Sequence, residues 1–197
     1  ISFTPLADQH GTSTITVTVE DGGLDNDLAT TGDNLTTSHI FDVTVNSVND
    51  VPTITALSDV TIDEDAPTKT VNLTGITAGG VESQPLRVTA ISSNAALIAD
   101  PTVAYTSDNT NGSISFTPLP DQHGQTTITV TVEDGGLDND LATTADNAIT
   151  IHTVNVTVNP VNDTPTLATI SDVTLDEDAP QQTVNLAGIT AGGGETQ

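Results

Sequence analysis

The chain has 197 residues, no cysteine and no methionine, and 27 acidic residues against two basic ones, Lys69 and Arg87, for a formal charge of −25. Nucleic acid and anionic membrane surfaces are poor partners for it, since both call for clustered positive charge. Without thiols it has no disulfide and no thiolate chemistry. A body this acidic repels itself unless cations gather on it.

In chain order, the first strand-like run covers 14–19, where threonine alternates with isoleucine or valine, the period-two pattern of a strand with one buried face. The spacing then predicts strands over 60–62, 70–73, 86–91, 102–105, 113–116, 126–132 and 152–158. Clusters of Gly, Pro, Asn and Asp separate them. No helical stripe is visible, and no apolar run is long enough to span a membrane. The aromatic residues Phe3, Phe41, Tyr105 and Phe116 all sit in strand patterns and are expected in an aliphatic core.

A long repeat organises these elements. Ile1-Ser-Phe-Thr-Pro-Leu6 returns as Ile114-Ser-Phe-Thr-Pro-Leu119, Val48-Asn-Asp50 as Val161-Asn-Asp163, and Asp63-Glu-Asp-Ala-Pro67 as Asp176-Glu-Asp-Ala-Pro180, each 113 residues on. Such a fixed period marks an array of similar units. Val48-Asn-Asp-Val-Pro52 and Val161-Asn-Asp-Thr-Pro165 each end on a proline, which interrupts sheet pairing. The expected frame is therefore the C-terminal half of one repeat at 1–50, a whole repeat at 51–163 and the N-terminal part of a third at 164–197. Seven short strands per unit suit an all-β fold, an immunoglobulin-like Greek-key sandwich, with the sandwiches arranged end to end. Lacking a start residue, the chain reads as an internal piece of a longer protein.

The chemistry on offer is oxygen. Calcium takes six to eight oxygens from carboxylates, amide side chains and carbonyls in flexible geometry, whereas zinc favours Cys and His. The four histidines, His10, His39, His123 and His152, form no pair at ligand spacing and are expected to pack on strands or the surface. The best local calcium candidate is Asp134-Gly-Gly-Leu-Asp-Asn-Asp140, copied at Asp21-Gly-Gly-Leu-Asp25-Asn-Asp27. There Asp134, Asp138 and Asp140, like Asp21, Asp25 and Asp27, flank glycines that let the backbone turn sharply. The competing reading is a strand connection whose Asp and Asn side chains cap turns. The linker pairs Asn49-Asp50 and Asn162-Asp163 admit the same two readings, as does the turn at Asp121.

Asp-Glu-Asp-Ala-Pro, Asp-Gly-Gly after a Thr/Val strand and Val-Asn-Asp-x-Pro at the boundary, in this order, resemble bacterial cadherin-like tandem repeats of large surface and adhesin proteins. That resemblance implies calcium between successive sandwiches. By position it implies Glu64, Asp121, Asn162 and Asp163 at the junction after the whole repeat, and Asp134, Asn49, Asp50 and Asp8 at the junction before it. Two places depart from the pattern. Ser92-Ser93-Asn94 stands where the resemblance implies an acidic pair after the third strand, and Pro120-Asp-Gln-His-Gly124 keeps one carboxylate. Repeat, charge and resemblance together lead to the expectation of a non-enzymatic, extracellular or cell-surface segment forming a calcium-stiffened stalk or filament. Its partners would be neighbouring copies of the repeat and, in a filament, other chains. The alternative is a spacer or carbohydrate-binding module of a secreted hydrolase. Paired carboxylates can do acid–base work, but an open acidic loop offers them no pocket.

Overall fold

Threonine and aliphatic residues in alternation form strands because one side of the pleat can be buried while the other stays wet. The computed structural model, which describes residues 1–193, places nine strands accordingly: β1 (Gly11–Glu20), β2 (Thr36–Val45), β3 (Val60–Asp63), β4 (Lys69–Thr74), β5 (Leu86–Ser92), β6 (Thr102–Ala104), β7 (Asn111–Phe116), β8 (Gly124–Asp134) and β9 (Ile149–Asn159). No helix occurs among the described residues. The predicted elements are all met. Several run longer than predicted, because polar ends such as Gly124, Gln125 and Glu133 extend the ladder beyond the alternating stretch.

The seven strands from β3 to β9 make a sandwich. One sheet has the order β3-β9-β8-β5 and the other β4-β7-β6, so the chain changes sheet between β3 and β4, β4 and β5, β5 and β6, and β7 and β8. All pairings are antiparallel except β3 with β9, which run parallel with Val60 beside Val156. Inward residues of both sheets meet in one aliphatic core: Leu73 and Ile114 from one, Val88, Ile128, Val130, Val154 and Val156 from the other. Each such side chain contributes about 1.5–3 kcal/mol on full burial. Phe116 joins this core and Tyr105 packs at its edge, as expected.

Phe3 and Phe41 do not. They are 50% and 40% exposed and meet each other edge to face, ring centres 5.9 Å apart. Phe41 lies in β2 and Phe3 in the segment before β1, and the pair β1 with β2 is a two-stranded sheet with no second sheet opposite it among the described residues. Between 164 and 193 the one regular pairing is the bridge Thr166–Thr190, which repeats Thr53–Thr77 at the start of the sandwich.

Candidate metal centres at the linkers

The inward series of β8 runs Thr126, Ile128, Val130, Val132 and then Asp134. Period two therefore carries a carboxylate onto the core face at the strand's end, and Asp134 is fully buried. Its Oδ1 accepts hydrogen bonds from Gly136 N (3.0 Å), Ala148 N (2.9 Å) and Asn49 Nδ2 (3.1 Å). Its Oδ2, equally buried, has no hydrogen-bond partner among the described residues. An acceptor in that state costs about 1–3 kcal/mol, more when charged. The same is true of Gln84 Oε1. Gln84 is tied to Asp134 through the linker, its Nε2 donating to Asn49 Oδ1 at 2.6 Å. Asn49 Nδ2 also reaches the carbonyl of Asp146 (3.0 Å), and Asp50 N donates to Glu82 Oε2 (3.1 Å). Asp50 and Asp8 both lie against Gly80. Beside them a cleft of about 300 Å³ is lined by Asp8, His10, Val48, Asp50, Val81 and Glu82. Asn49, Asp50, Asp134 and Asp8 are thus gathered around the first linker, together with Glu82 and Gln84.

At the second linker, Asp65, Asp121 and Asp163 bring carboxylate oxygens within 4.8 Å of one another, the one such trio among the described residues. Asp65 and Asp121 both take positive φ, 59° and 57°, in tight turns, a conformation that Asp tolerates better than most residues. Asp121 N donates to Asp65 Oδ1 (3.3 Å). Glu64, 3% exposed, does not join the trio. Its Oε1 accepts from Val161 N (2.7 Å), and its Oε2 lies 3.4 Å from His123 Nδ1. Glu64, the residue after β3, thereby ties the end of that strand to the start of the linker. Asn162 Nδ2 donates to the Asp163 carbonyl (3.3 Å).

The remaining candidates cap turns. Asp138 Oδ1 accepts from Asp140 N (3.0 Å) and its Oδ2 from Thr143 Oγ1 (2.5 Å), while Asp140 Oδ1 accepts from Ala142 N (2.9 Å). The other copy does likewise: Asp25 serves Asp27 N and Thr30 Oγ1, and Asp27 serves Ala29 N. The Thr30 hydroxyl and then the Asp27 amide hold the Asp25 carboxyl below its ordinary range. Asp21 Oδ1 takes Gly23 N and Leu35 N, and these backbone donors, Leu35 first, lower its pKa too. Glu133, beside Asp134 but on the outer face, is lowered chiefly by the Arg87 hydrogen bond. Ser92, Ser93 and Asn94 cluster with Thr126 hydroxyl to backbone and hydroxyl to hydroxyl, a structural knot to which the Asp100 carboxylate adds an acceptor for Ser92 N (2.9 Å).

Sequence reasoning missed Asp65, Glu82, Gln84 and Asp146. Asp65 stands inside the quoted Asp-Glu-Asp-Ala-Pro motif, so the signal was present there. Glu82-Ser-Gln84 precedes β5, not follows it, and no local spacing marks it. The donor set at both linkers consists of carboxylate, carboxamide and carbonyl oxygens, which fits a hard divalent cation such as calcium and does not fit zinc.

Residues 49–145 match the family described as Bacterial Ig domain. No curated protein matches the chain. Among solved structures it is similar to domains 4 and 5 of the S-layer protein SbsC, at 18% identity and a TM-score of 0.37 over 62% of this chain and 52% of that one. A second likeness is to domains 1–6 of the same surface-layer protein, at 15% identity and a TM-score of 0.39 over 93% of this chain and 21% of that one. The chain thus spans about half the length of the first of these structures and about a fifth of the second. The stretch that matches the Bacterial Ig domain family is just under half of the chain, and the seven strands in two facing sheets form an immunoglobulin-like sandwich.

Proposed function

We propose that this chain is a structural segment of a cell-surface or extracellular protein, in which immunoglobulin-like repeats follow one another and calcium stiffens the linkers between them. Its frame would be repeats meeting at 50–51 and 163–164. No reaction is assigned to it. One observation carries the calcium reading: Asp134 is wholly buried, and among the described residues one of its oxygens has no donor, in a sequence with two basic side chains. Arg87 is already engaged with Glu133. A buried carboxylate is retained in proteins when it is paired or coordinates a metal. A cation at the first linker would meet Asp134 Oδ2 and Gln84 Oε1, with Asp50 and Asp8 nearby. At the second linker Asp65, Asp121 and Asp163 would hold one between them. Bound there, calcium supplies positive charge that draws carboxylates from both sides of a linker together.

The test is calorimetric titration of the 197-residue chain with calcium, paired with small-angle scattering in calcium and in chelator. Binding with a dissociation constant of about 10⁻⁴–10⁻³ M is expected, the range of extracellular modules. Asp134→Asn and Asp121→Asn should each remove part of the heat, and the scattering should report a longer, stiffer particle with calcium. A flat titration would sink the reading.

A further inference from the structure

Among the described residues, every polar contact made by the linker side chain of Asn49 and the amide of Asp50 goes to the repeat on their C-terminal side. Asn49 meets Asp134, Asp146 and Gln84, and the Asp50 amide meets Glu82 Oε2, an oxygen that also accepts from Gln84 Nε2 at 3.1 Å. The turn just before Glu82 completes the seat. Gly79 and Gly80 have φ of +99° and +41°, which side chains rarely tolerate. A Cβ on Gly79 would stand 2.5 Å from the Val51 carbonyl oxygen, and one on Gly80 would overlap the Asp50 carboxylate. The arrangement recurs at the second linker, where Gly192 and Gly193 have φ of +95° and +38° and a Cβ on them would collide with the Thr164 carbonyl oxygen and the Asp163 carboxylate. On the upstream side a Cβ on Gly80 would stand 3.4 Å from the Asp8 Cβ, and Asp8 and His10 face Val81 and Glu82 across the cleft.

We infer that the loop 79–84 is a docking clamp for the linker, so that Asn49 and Asp50 move with the downstream repeat whether or not a cation is bound, and the junction bends on its upstream side, between β2 and Asn49. Glu82 and Gln84 are positioning residues in this clamp: they hold the linker amide and carboxamide, and through Asn49 they fix one oxygen of Asp134. The inference rests on the reading of the chain as consecutive repeats and is independent of calcium. It makes the junction one-sided. A cation would then add a bond from a preformed downstream face to Asp8, instead of ordering a slack linker from both sides.

Amide hydrogen exchange of the ¹⁵N-labelled 197-residue chain in EDTA tests this. The Asp50 amide should exchange at least about 30-fold more slowly than an unstructured amide, as locally protected groups do. Glu82→Ala and Gly80→Ala should bring it within about 3-fold of the unstructured rate, while core amides of β8 and β9 keep their protection and so report an intact sandwich. Glu82→Gln, which keeps an acceptor oxygen, should retain the slow rate. An unprotected Asp50 amide in EDTA overturns the clamp, even if calcium restores protection. So does protection that survives Glu82→Ala. If calcium fails to bind but Asp50 stays protected, the clamp stands and the calcium reading alone falls.

Discussion

Asp134, at the end of β8, and Asp138, four residues on in the loop that follows, have opposite energetic roles. Asp134 is the acceptor for three donors in a buried setting, Gly136 N, Ala148 N and Asn49 Nδ2, whereas Asp138 is exposed and caps its own turn. Truncation to alanine strands the donors in the first case and hands them to water in the second. Asp134→Ala should therefore lower unfolding stability in chelator by about 3 kcal/mol or more, and Asp138→Ala by less than about 1 kcal/mol, in urea titrations. Equal losses would mean that the burial of Asp134 does not matter. A third carboxylate, Glu133, supplies a pH dependence. Its pKa is lowered first by the Arg87 hydrogen bond, against a smaller opposing effect of desolvation. A depressed folded value means that the unfolded chain binds the proton more readily, so Glu133 contributes stability above its ordinary value of 4.5 and loses it as pH falls through the lowered one. Arg87 is half exposed, which keeps the contribution within about 1 kcal/mol. Melting curves of the native chain and Arg87→Ala should differ slightly at pH 7 and converge toward pH 3.

At the scale of elements, the strands other than β2, where Ile40 and Phe41 stand side by side, were legible because a single rule produces them. Thr126, Ile128, Val130 and Val132 alternate with side chains that face outward, and the partners Val154, Val156 and Val158 do the same one strand over. The rule extends one step further than the apolar residues do. Continued past Val132, it places Asp134 inside, so the buried carboxylate was also written in the period. What the period does not carry is which loops meet. Gln84 reaches Asn49 from 35 residues away and Asn49 reaches Asp134 across 85, separations that exist only once both sheets have formed. Glu82-Ser-Gln84 therefore escaped notice, and attention fell on Ser92-Ser93-Asn94, which the fold uses to anchor β5 to β8. The acidic loop leaves two readings side by side. Asp138 and Asp140 have the spacing of calcium ligands, yet that spacing is also the reach of a side-chain oxygen to the amide two residues on. The Phe3 and Phe41 rings show the limit of pattern alone: alternation marks them as inward residues, but burial requires a facing sheet.

For the whole molecule, the charge of −25 raises the question of whether calcium would act at sites or as a diffuse atmosphere. The two differ in selectivity. An atmosphere responds to ionic strength and valence, so magnesium and calcium should serve equally. A site built of loop carboxylates and carboxamides favours calcium, because magnesium holds its water and demands near-octahedral geometry. The linkers supply irregular oxygen sets, Asp65, Asp121 and Asp163 at one and Asp134 with Gln84 at the other. At 10 mM calcium, and with a dissociation constant of about 10⁻⁴–10⁻³ M, one site would stabilise the folded form by about 1.4–2.7 kcal/mol. Thermal unfolding in 10 mM calcium should accordingly rise by several degrees over that in sodium chloride of equal ionic strength, with magnesium falling near the sodium control. Asp163→Asn should reduce the calcium increment and leave the sodium baseline in place. If magnesium matches calcium, the stabilisation comes from neutralising a highly charged surface, and the buried oxygen of Asp134 is then satisfied by water; if calcium stands apart, that oxygen is the place to look for the ion.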